Sequence, residues 1–315
     1  MSKDVQLLLT GPLYPLVMTT LSDSFTAHLP WQTAPMKEFL AKSHPEIRGV
    51  ASNGSHGPLG AAQFDQLPNL EIVSNFGVGY DNVDVVEAKR RGIVVTNTPD
   101  VLTDEVADLT LGLLLATVRQ IPRAEQYLRA GSWAAKPFPL SATLRGRTVG
   151  IIGLGRIGKA IATRCAAFGL PIAYHGRSKQ ADVPYAYHAS PLELAHAVDV
   201  LIVVAPGGEE TRHMVDAEVL AALGADGVFI NVARGSVVDE DALIAALESK
   251  TILAAGLDVY ENEPRIREDF MTLENAVVLP HIGSASVQTR NAMGQLVIDN
   301  LTSWFAGKGP LTPVN

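Results

Sequence analysis

Three ionisable side chains stand just beyond short apolar runs that are typical of buried strands: Arg234 after residues 228–231, Glu263 after residues 253–257 and His281 after residues 276–279. Because the carboxyl ends of parallel strands meet at one edge of a sheet, these groups can converge on one ligand. An imidazole can protonate a developing alkoxide, and a carboxylate can hold the imidazolium. A guanidinium can bind a carboxylate and polarise the adjacent carbonyl. The trio therefore suits reduction of the ketone of a small acid.

Alternative interpretations exist for each member of the trio. Of the eight histidines, His281 alone directly follows such a run with small residues after it. His56 also follows a strand-like run and is the rival proton donor. Glu263 could be a surface carboxylate before Pro264, and Arg234 could be a structural ion-pair partner. Their shared position at successive strand ends favours function over these separate explanations.

A glycine-rich stretch, TVGIIGLGRIG over residues 148–158, joins a strand-like run to a helical pattern. Gly153 permits a tight turn, Gly155 lets the backbone approach a pyrophosphate, and Gly158 allows close helix–strand packing. The first N–H groups of the helix then face the phosphates. This context predicts a dinucleotide site rather than a glycine-rich turn without a ligand. The cofactor-binding residues predicted here are Gly153, Leu154, Gly155, Arg156, Ile157 and Gly158.

A cationic turn, His-Gly-Arg-Ser-Lys, follows the next strand-like run. An enzyme that uses NAD usually carries an acid here for the ribose 2′-hydroxyl, yet no acid lies between Arg164 and Gln180. Arg177, Ser178 and Lys179 instead offer a guanidinium, a hydroxyl and an ammonium, which suit a 2′-phosphate. The turn predicts NADPH as the preferred cofactor, with NADH as the weaker alternative. If the turn binds no cofactor, it is simply a solvated basic turn.

Composition narrows the class of protein. The 315 residues are 47% hydrophobic and 18% charged, which is ordinary globular composition for two domains. The net charge of -8 makes nucleic acid and anionic membrane unexpected partners. The single cysteine, Cys165, excludes an internal disulfide and argues against a cysteine-based metal site, so no metal is predicted. With no secretory leader or membrane-spanning run recognised, we expect a cytoplasmic protein.

Strand-like and helical patterns alternate through the chain, which predicts an α/β fold with parallel sheets in two doubly wound lobes. A long helix begins near Thr103, and residues 131–144 look like an irregular crossing segment. The strands are predicted at residues 5–9, 49–51, 70–73, 93–95, 148–152, 172–174, 200–204, 228–231, 253–257 and 276–279, and further helices at 35–42, 83–90, 157–167, 239–247 and 286–305.

The chain resembles the D-isomer-specific 2-hydroxyacid dehydrogenases over essentially its whole length. The resemblance rests on four motifs in order: GLGRIG at residues 153–158, NVARG at 231–235, DVYENEP at 258–264 and LPHIGSAS at 279–286. The basic turn is similar to that of the glyoxylate and hydroxypyruvate reductase branch. The family implies two Rossmann-like lobes with an active-site cleft between them. Residues 1–99 plus 286–315 would form the substrate-binding domain, and residues 100–285 the NADP-binding domain.

The resemblance also implies roles for individual residues. His281 would be the acid/base, Glu263 its carboxylate partner and Arg234 the substrate clamp. The loop NFGVGYD at residues 75–81 matches the family loop that binds the substrate carboxylate through the N–H groups of Val78 and Gly79. The further cofactor contacts expected are Thr103, Val232, Ala233, Asp258, His281 and Gly283, and the side chains expected to set substrate size are Ser52, Asn53 and His56.

The implied activity is NADPH-dependent reduction of glyoxylate, hydroxypyruvate, pyruvate or 2-ketogluconate to a D-2-hydroxy acid. The family further implies a homodimer, with the helix after Thr103 and the irregular segment at the contact. Trp133 and Phe138 would reach the partner's site or simply pack in the interface. Two alternatives remain: a non-enzymatic nucleotide-sensing scaffold, and an NAD-linked dehydrogenase running towards oxidation, against which the basic turn argues.

Overall fold

The structure is a computed structural model that describes residues 3–33 and 35–315. The chain divides into two compact units, one formed by Met1–Leu102 with Ala285–Asn315 and the other by Thr103–Ser284. Each unit contains one sheet whose named strands all pair in parallel. The two α/β parallel sheets confirm the fold class expected from the alternating pattern. The roles assigned to the two predicted domains stay predictions.

The first unit has a five-stranded sheet in the order β2-β1-β3-β4-β5. Leu8, Val50 and Val73 in its central strands are fully buried, as expected for a sheet covered on both faces. The C-terminal helix, Val287–Phe305, belongs to this unit. Its other elements are β1 Gln6–Leu9, α1 Pro15–Ser24, β2 Thr26–His28, α2 Met36–Phe39, β3 Ile47–Asn53, α3 Ala61–Phe64, β4 Ile72–Phe76, α4 Val85–Arg90 and β5 Val94–Thr96.

Helices α1 and α3 and strand β2 of the first unit were not predicted from the sequence, and α2 is shorter than expected. The helix expected over residues 35–42 is only the single turn α2, whose apolar residues Met36 and Phe39 pack on the core but are only partly buried. A short helix with a partly buried apolar face gains little from tertiary packing, so it ends early. Strand β2 was not predicted, because its three residues at the sheet edge are exposed or partly buried and carry no apolar run.

The second unit has a seven-stranded sheet in the order β12-β11-β10-β9-β6-β7-β8. Helix α5 begins at Thr103, where the sequence pattern predicts the start of a long helix. The elements are α5 Thr103–Arg119, α6 Ile121–Arg129, β6 Val149–Ile152, α7 Arg156–Ala167, β7 Ile172–His175, β8 Ala186–His188, α8 Pro191–His196, β9 Val200–Val203, α9 Ala217–Leu223, β10 Val228–Asn231, α10 Glu240–Glu248, β11 Ala254–Leu257, α11 Asp269–Thr272 and β12 Ala276–Val278.

The order of strands reverses at β6 in the second unit. The chain runs from β6 outward to β7 and β8, and then crosses to β9 on the other side of β6. Ligands of open α/β sheets bind at the carboxyl ends of strands beside such a reversal. Apart from Thr103 at the start of α5, the predicted cofactor and catalytic residues of this unit follow β6, β7, β10, β11 and β12. Separately, no helix among the described residues combines the length and apolar character needed to cross a membrane.

Candidate active site

The glycine loop follows β6 and leads directly into α7. Gly153 has a φ of +99°, and a Cβ there would lie 2.8 Å from the Ala205 nitrogen. A Cβ on Gly158 would lie 2.1 Å from the Gly153 oxygen, whereas one on Gly155 would meet nothing within 4 Å. Gly153 and Gly158 are therefore needed for close backbone packing, and Gly155 leaves open space. Helix α7 has no side-chain cap and no acid in its first turn, so its N-terminus suits an anion.

The basic turn is anchored by two tyrosine hydroxyls. Tyr187 donates to the Gly176 carbonyl at 3.3 Å, and the Gln180 N–H donates to the Tyr174 hydroxyl at 2.6 Å. The Gln180 side-chain amide donates to the Leu154 carbonyl at 2.8 Å, which ties the turn to the glycine loop. Between these anchors Arg177, Ser178 and Lys179 are exposed, and none has a side-chain partner within residues 3–33 and 35–315. The three polar groups are thus available to a ligand.

Arg234 stands on a turn that is shaped by Asn231, the last residue of β10. The Asn231 amide donates to the Arg234 carbonyl at 3.0 Å, and its oxygen accepts from the Ala233 N–H at 3.0 Å. The next residue, Gly235, lies against the loop after β11, because a Cβ there would lie 1.8 Å from the carbonyl carbon of Tyr260. This contact brings the segment that carries Arg234 beside the segment that carries Glu263.

Asp258 organises the loop that follows β12. Its side chain is 1% exposed and accepts from the N–H groups of Ile282 and Gly283, each at 2.7 Å. Burial raises the pKa of Asp258, and the two N–H groups partly offset that rise. The carboxyl group therefore holds the backbone immediately after His281, which itself has a φ of +55°. Non-glycine residues adopt this left-handed conformation at a cost of about 1–2 kcal/mol, so the loop must be held in place.

The Glu263 and His281 side chains form a hydrogen-bonded pair. His281 Nδ1 lies 2.6 Å from Glu263 Oε2, and Glu263 Oε1 accepts from the Tyr260 N–H at 2.9 Å. Burial raises the pKa of Glu263, but His281, the Tyr260 N–H and Arg234 together outweigh it and leave that pKa below its ordinary value. The carboxylate thus holds the Nδ1 side of the His281 ring. The His281 side chain is 45% exposed. None of the described residues hydrogen bonds Nε2.

In the first unit, the loop after β4 has its carbonyl groups held from within. The Asn97 amide donates to the Val78 carbonyl at 2.8 Å, and the Asn75 amide donates to the Gly79 carbonyl at 2.9 Å. The N–H groups of Val78 and Gly79 have no acceptor within the described part of the chain. Two unpaired N–H groups in one loop can bind a carboxylate, and binding of the substrate by these two groups stays a prediction.

The side chains of Ser52 and Asn53 both make hydrogen bonds within the first unit, whereas the sequence predicts them as substrate contacts. Ser52 is fully buried and donates to the Asn75 oxygen at 3.1 Å. The geometry thus favours an indirect role for Ser52, behind the loop. Asn53 caps the short helical turn Gly54–His56 by accepting from the Ser55 N–H at 3.1 Å. Substrate contact by either side chain stays a prediction.

The rival histidine is held inside the first unit. His56 Nδ1 lies 3.0 Å from the Thr10 hydroxyl, and its ring covers Gly11, where a Cβ would lie 2.7 Å away. Burial lowers the pKa of His56, and a hydrogen bond to the Pro12 backbone only partly offsets this. These contacts fit a packed structural histidine better than a proton donor.

Comparison with known proteins identifies relatives along the whole chain. The family model described as D-isomer specific 2-hydroxyacid dehydrogenase, NAD binding domain, matches residues 111–283. Glyoxylate/hydroxypyruvate reductase A of Arabidopsis thaliana is 47% identical over 313 residues, covering 99% of both chains. The 2-ketogluconate reductase of Gluconobacter oxydans (strain 621H) is 42% identical over 314 residues, covering 100% of both.

A solved structure agrees with these relatives. The NADPH-dependent glyoxylate/hydroxypyruvate reductase of Sinorhizobium meliloti, crystallised with NADP and malonate, has 50% sequence identity and a TM-score of 0.92. The match covers 99% of this chain and 97% of that one. It confirms the similarity to the glyoxylate and hydroxypyruvate reductase branch that the basic turn indicated. This chain therefore belongs to the D-isomer-specific 2-hydroxyacid dehydrogenase family.

Proposed function

We propose that this protein reduces small 2-oxo acids to D-2-hydroxy acids with NADPH. The observation that carries the proposal is the His281–Glu263 pair, which leaves one imidazole nitrogen available as a proton donor. The relatives support the substrate class, since they are named for glyoxylate, hydroxypyruvate and 2-ketogluconate. Glyoxylate and hydroxypyruvate are the first substrates to test, and pyruvate and 2-ketogluconate follow.

The second unit has residues that fit the cofactor. The open space at Gly155 and the uncapped start of α7 suit a pyrophosphate. Arg177, Ser178 and Lys179 suit the 2′-phosphate, because all three can donate hydrogen bonds and none has a partner among the described residues. When bound, the reduced nicotinamide supplies the hydride. The other contacts proposed for the cofactor are Gly153, Leu154, Arg156, Ile157, Gly158, Thr103, Val232, Ala233, Asp258, His281 and Gly283.

The protein's own contribution to the chemistry is a proton and two sites for charge. His281 donates the proton from Nε2 to the oxygen of the reduced carbonyl. Glu263 accepts from Nδ1–H and so keeps the ring in the orientation for that donation. The Arg234 guanidinium binds the substrate carboxylate and polarises its carbonyl. We further propose that the Val78 and Gly79 N–H groups bind the substrate.

The two alternatives are less well supported. The similar proteins that are named are reductases, which does not favour a non-enzymatic scaffold. An NAD-linked dehydrogenase would be expected to carry an acid in the turn after β7, and this chain has none there. NADH is kept as the weaker cofactor.

We also propose a cytoplasmic homodimer. The lone Cys165 is a buried free thiol, consistent with a reducing compartment. Large apolar side chains are exposed on α6 and the segment after it, including Leu128 at 58%, Trp133 at 66% and Leu140 at 100%. Large apolar side chains that are exposed along one segment support an interface there. Phe138 contacts Tyr127 edge to face at 5.3 Å, so its ring is engaged within its own chain.

The test is the rate of NADPH and NADH oxidation with each 2-oxo acid, in the wild type and in Arg177→Asp. Losing a charge-assisted hydrogen bond of about 1.5–3 kcal/mol should raise the KM for NADPH roughly ten- to a hundredfold, with little change for NADH. Arg145→Asp, an equal charge reversal at another exposed arginine, is the control. A wild type inactive on every acid would refute the function, and an equal loss for both cofactors would refute the 2′-phosphate role.

A further inference from the structure

We propose that Asn97 is a positioning residue for substrate binding. Its side-chain amide holds the Val78 carbonyl and thereby aims the Gly79 N–H at the substrate carboxylate. The proposal rests on the proposed function and adds to it a residue that neither a motif nor the resemblance indicated. It depends on contacts within the first unit alone.

The loop after β4 has three consecutive carbonyl groups, and each accepts a hydrogen bond from inside the unit. The donors are Thr98 N to Gly77 O at 2.9 Å, Asn97 Nδ2 to Val78 O at 2.8 Å and Asn75 Nδ2 to Gly79 O at 2.9 Å. By contrast, the N–H groups of Val78 and Gly79 have no acceptor in the part of the chain that the structure describes. The loop therefore pairs its acceptors internally and leaves these two donors for a ligand.

Peptide planarity turns a held carbonyl into a directed N–H group. In a trans peptide unit the C=O and the following N–H point in opposite directions. The hydrogen bond from Thr98 to the Gly77 carbonyl therefore sets the direction of the Val78 N–H. The hydrogen bond from Asn97 to the Val78 carbonyl likewise sets the direction of the Gly79 N–H. Only the second of these is made by a side chain, so only the second can be removed without changing the backbone.

The surroundings of Asn97 keep its amide in place. The side chain is buried, with the residue 7% exposed. Its backbone is held on both sides, because Asn97 N donates to the Thr312 carbonyl at 3.3 Å and the Thr312 hydroxyl donates to the Asn97 carbonyl at 2.6 Å. These hydrogen bonds do not involve the side-chain amide of Asn97. A substitution at residue 97 can thus remove the contact with Val78 while the chain path is retained.

The neighbouring amide is oriented by a separate contact. Ser52 donates to the Asn75 oxygen at 3.1 Å, and this directs Asn75 Nδ2 to the Gly79 carbonyl. Asn75 and Ser52 are fully buried, and a buried amide that loses a partner leaves a polar group unsatisfied. Asn97 is therefore the better residue to change, since its amide donates to the Val78 carbonyl and has no buried side-chain partner among the described residues.

The test measures the KM for glyoxylate, the KM for NADPH and the inhibition constant of oxalate in Asn97→Ala and Asn97→Asp. Misaligning one charge-assisted hydrogen bond should raise the glyoxylate KM and the oxalate constant together, by about tenfold or more, with the NADPH KM unchanged. Asn97→Asp has nearly the same shape, so it serves if the alanine variant does not fold. It should have the larger effect, because its carboxylate repels both the Val78 carbonyl and the substrate.

Asn69→Ala is the matched control, since Asn69 also donates from its amide to a backbone carbonyl of this unit, that of Pro45 at 2.8 Å. It should change neither KM. Unchanged glyoxylate and oxalate constants in a folded Asn97 variant would overturn the proposal. So would equal rises for glyoxylate and NADPH, which indicate general damage. A wild type that reduces no 2-oxo acid would instead refute the proposed function, and that result is seen before any variant is made.

Discussion

Gly235 is the position where one added methyl group should damage the site most. The residue follows Arg234 and lies against the backbone of the loop that carries Glu263. An ideal Cβ on Gly235 would lie 1.8 Å from the Tyr260 carbonyl carbon, 2.0 Å from the Glu261 nitrogen and 2.2 Å from the Tyr260 oxygen. All three atoms are backbone, so no side-chain rotation can relieve the overlap.

The expected magnitude follows from these distances. Carbon atoms in contact are about 3.5–4.0 Å apart, so Gly235→Ala must separate the two segments by roughly 2 Å. A displacement of about 1 Å in a positioned group can lower turnover about a hundredfold, and we expect at least that loss in kcat/KM. Overpacking of a tight site also costs about 1–3 kcal/mol, which corresponds to a fall of several degrees in Tm.

The assay combines steady-state kinetics with thermal unfolding. Gly60→Ala is the control, because a Cβ there would lie no closer than 3.7 Å to the nearest atom, Asp84 Cβ. The control should keep nearly normal kcat/KM and Tm. A Gly235→Ala protein with wild-type kcat/KM and Tm would refute the reasoning, since it would mean that the close approach of the two loops is not needed.

Two further substitutions separate the members of the site. In Glu263→Gln, the loss in free energy of unfolding should be largest above pH 4.5, the ordinary pKa of the carboxyl group. The loss should shrink as the pH falls through the lowered native pKa. Urea unfolding at a series of pH values measures the loss, and a pH-independent difference from wild type would contradict the prediction. His56→Gln should keep kcat within roughly threefold of wild type, because burial lowers the pKa of His56 and favours the uncharged ring. Loss of a proton donor would instead lower kcat about a hundredfold or more. Initial rates of NADPH oxidation distinguish the two outcomes, and a hundredfold loss would identify His56 as the donor.

The fold could be predicted wherever a strand is buried on both faces. Residues 228–230 form an apolar run that Asn231 ends, and β10 has the predicted bounds 228–231. The edge strands β2 and β8 are three residues long and only partly buried, so they carry no comparable signal. Tertiary pairing with a neighbour, rather than local pattern, decides that such segments are strands.

The residues of the candidate site also fall into those that a sequence pattern indicates and those that it does not. Arg234, Glu263 and His281 could be proposed from the sequence because each is an ionisable group that follows a recognisable strand. The residues that position these side chains or the loops could not be identified from the sequence. A side-chain amide that donates to one backbone carbonyl leaves no periodic or charge pattern. Asn97, Asn231 and Gln180 each act in this way. One cheap signal was available for Asn97, since it directly follows a strand at the same sheet edge as the loop of residues 77–79.

The most direct test of the account compares wild type with His281→Ala in one experiment, measuring NADPH oxidation with glyoxylate and NADPH binding by fluorescence titration. We predict that turnover falls by roughly a hundred- to ten-thousandfold while the Kd for NADPH stays within a few-fold of wild type. A folded His281→Ala protein that turns over glyoxylate at the wild-type rate would contradict the assignment of His281 as the proton donor.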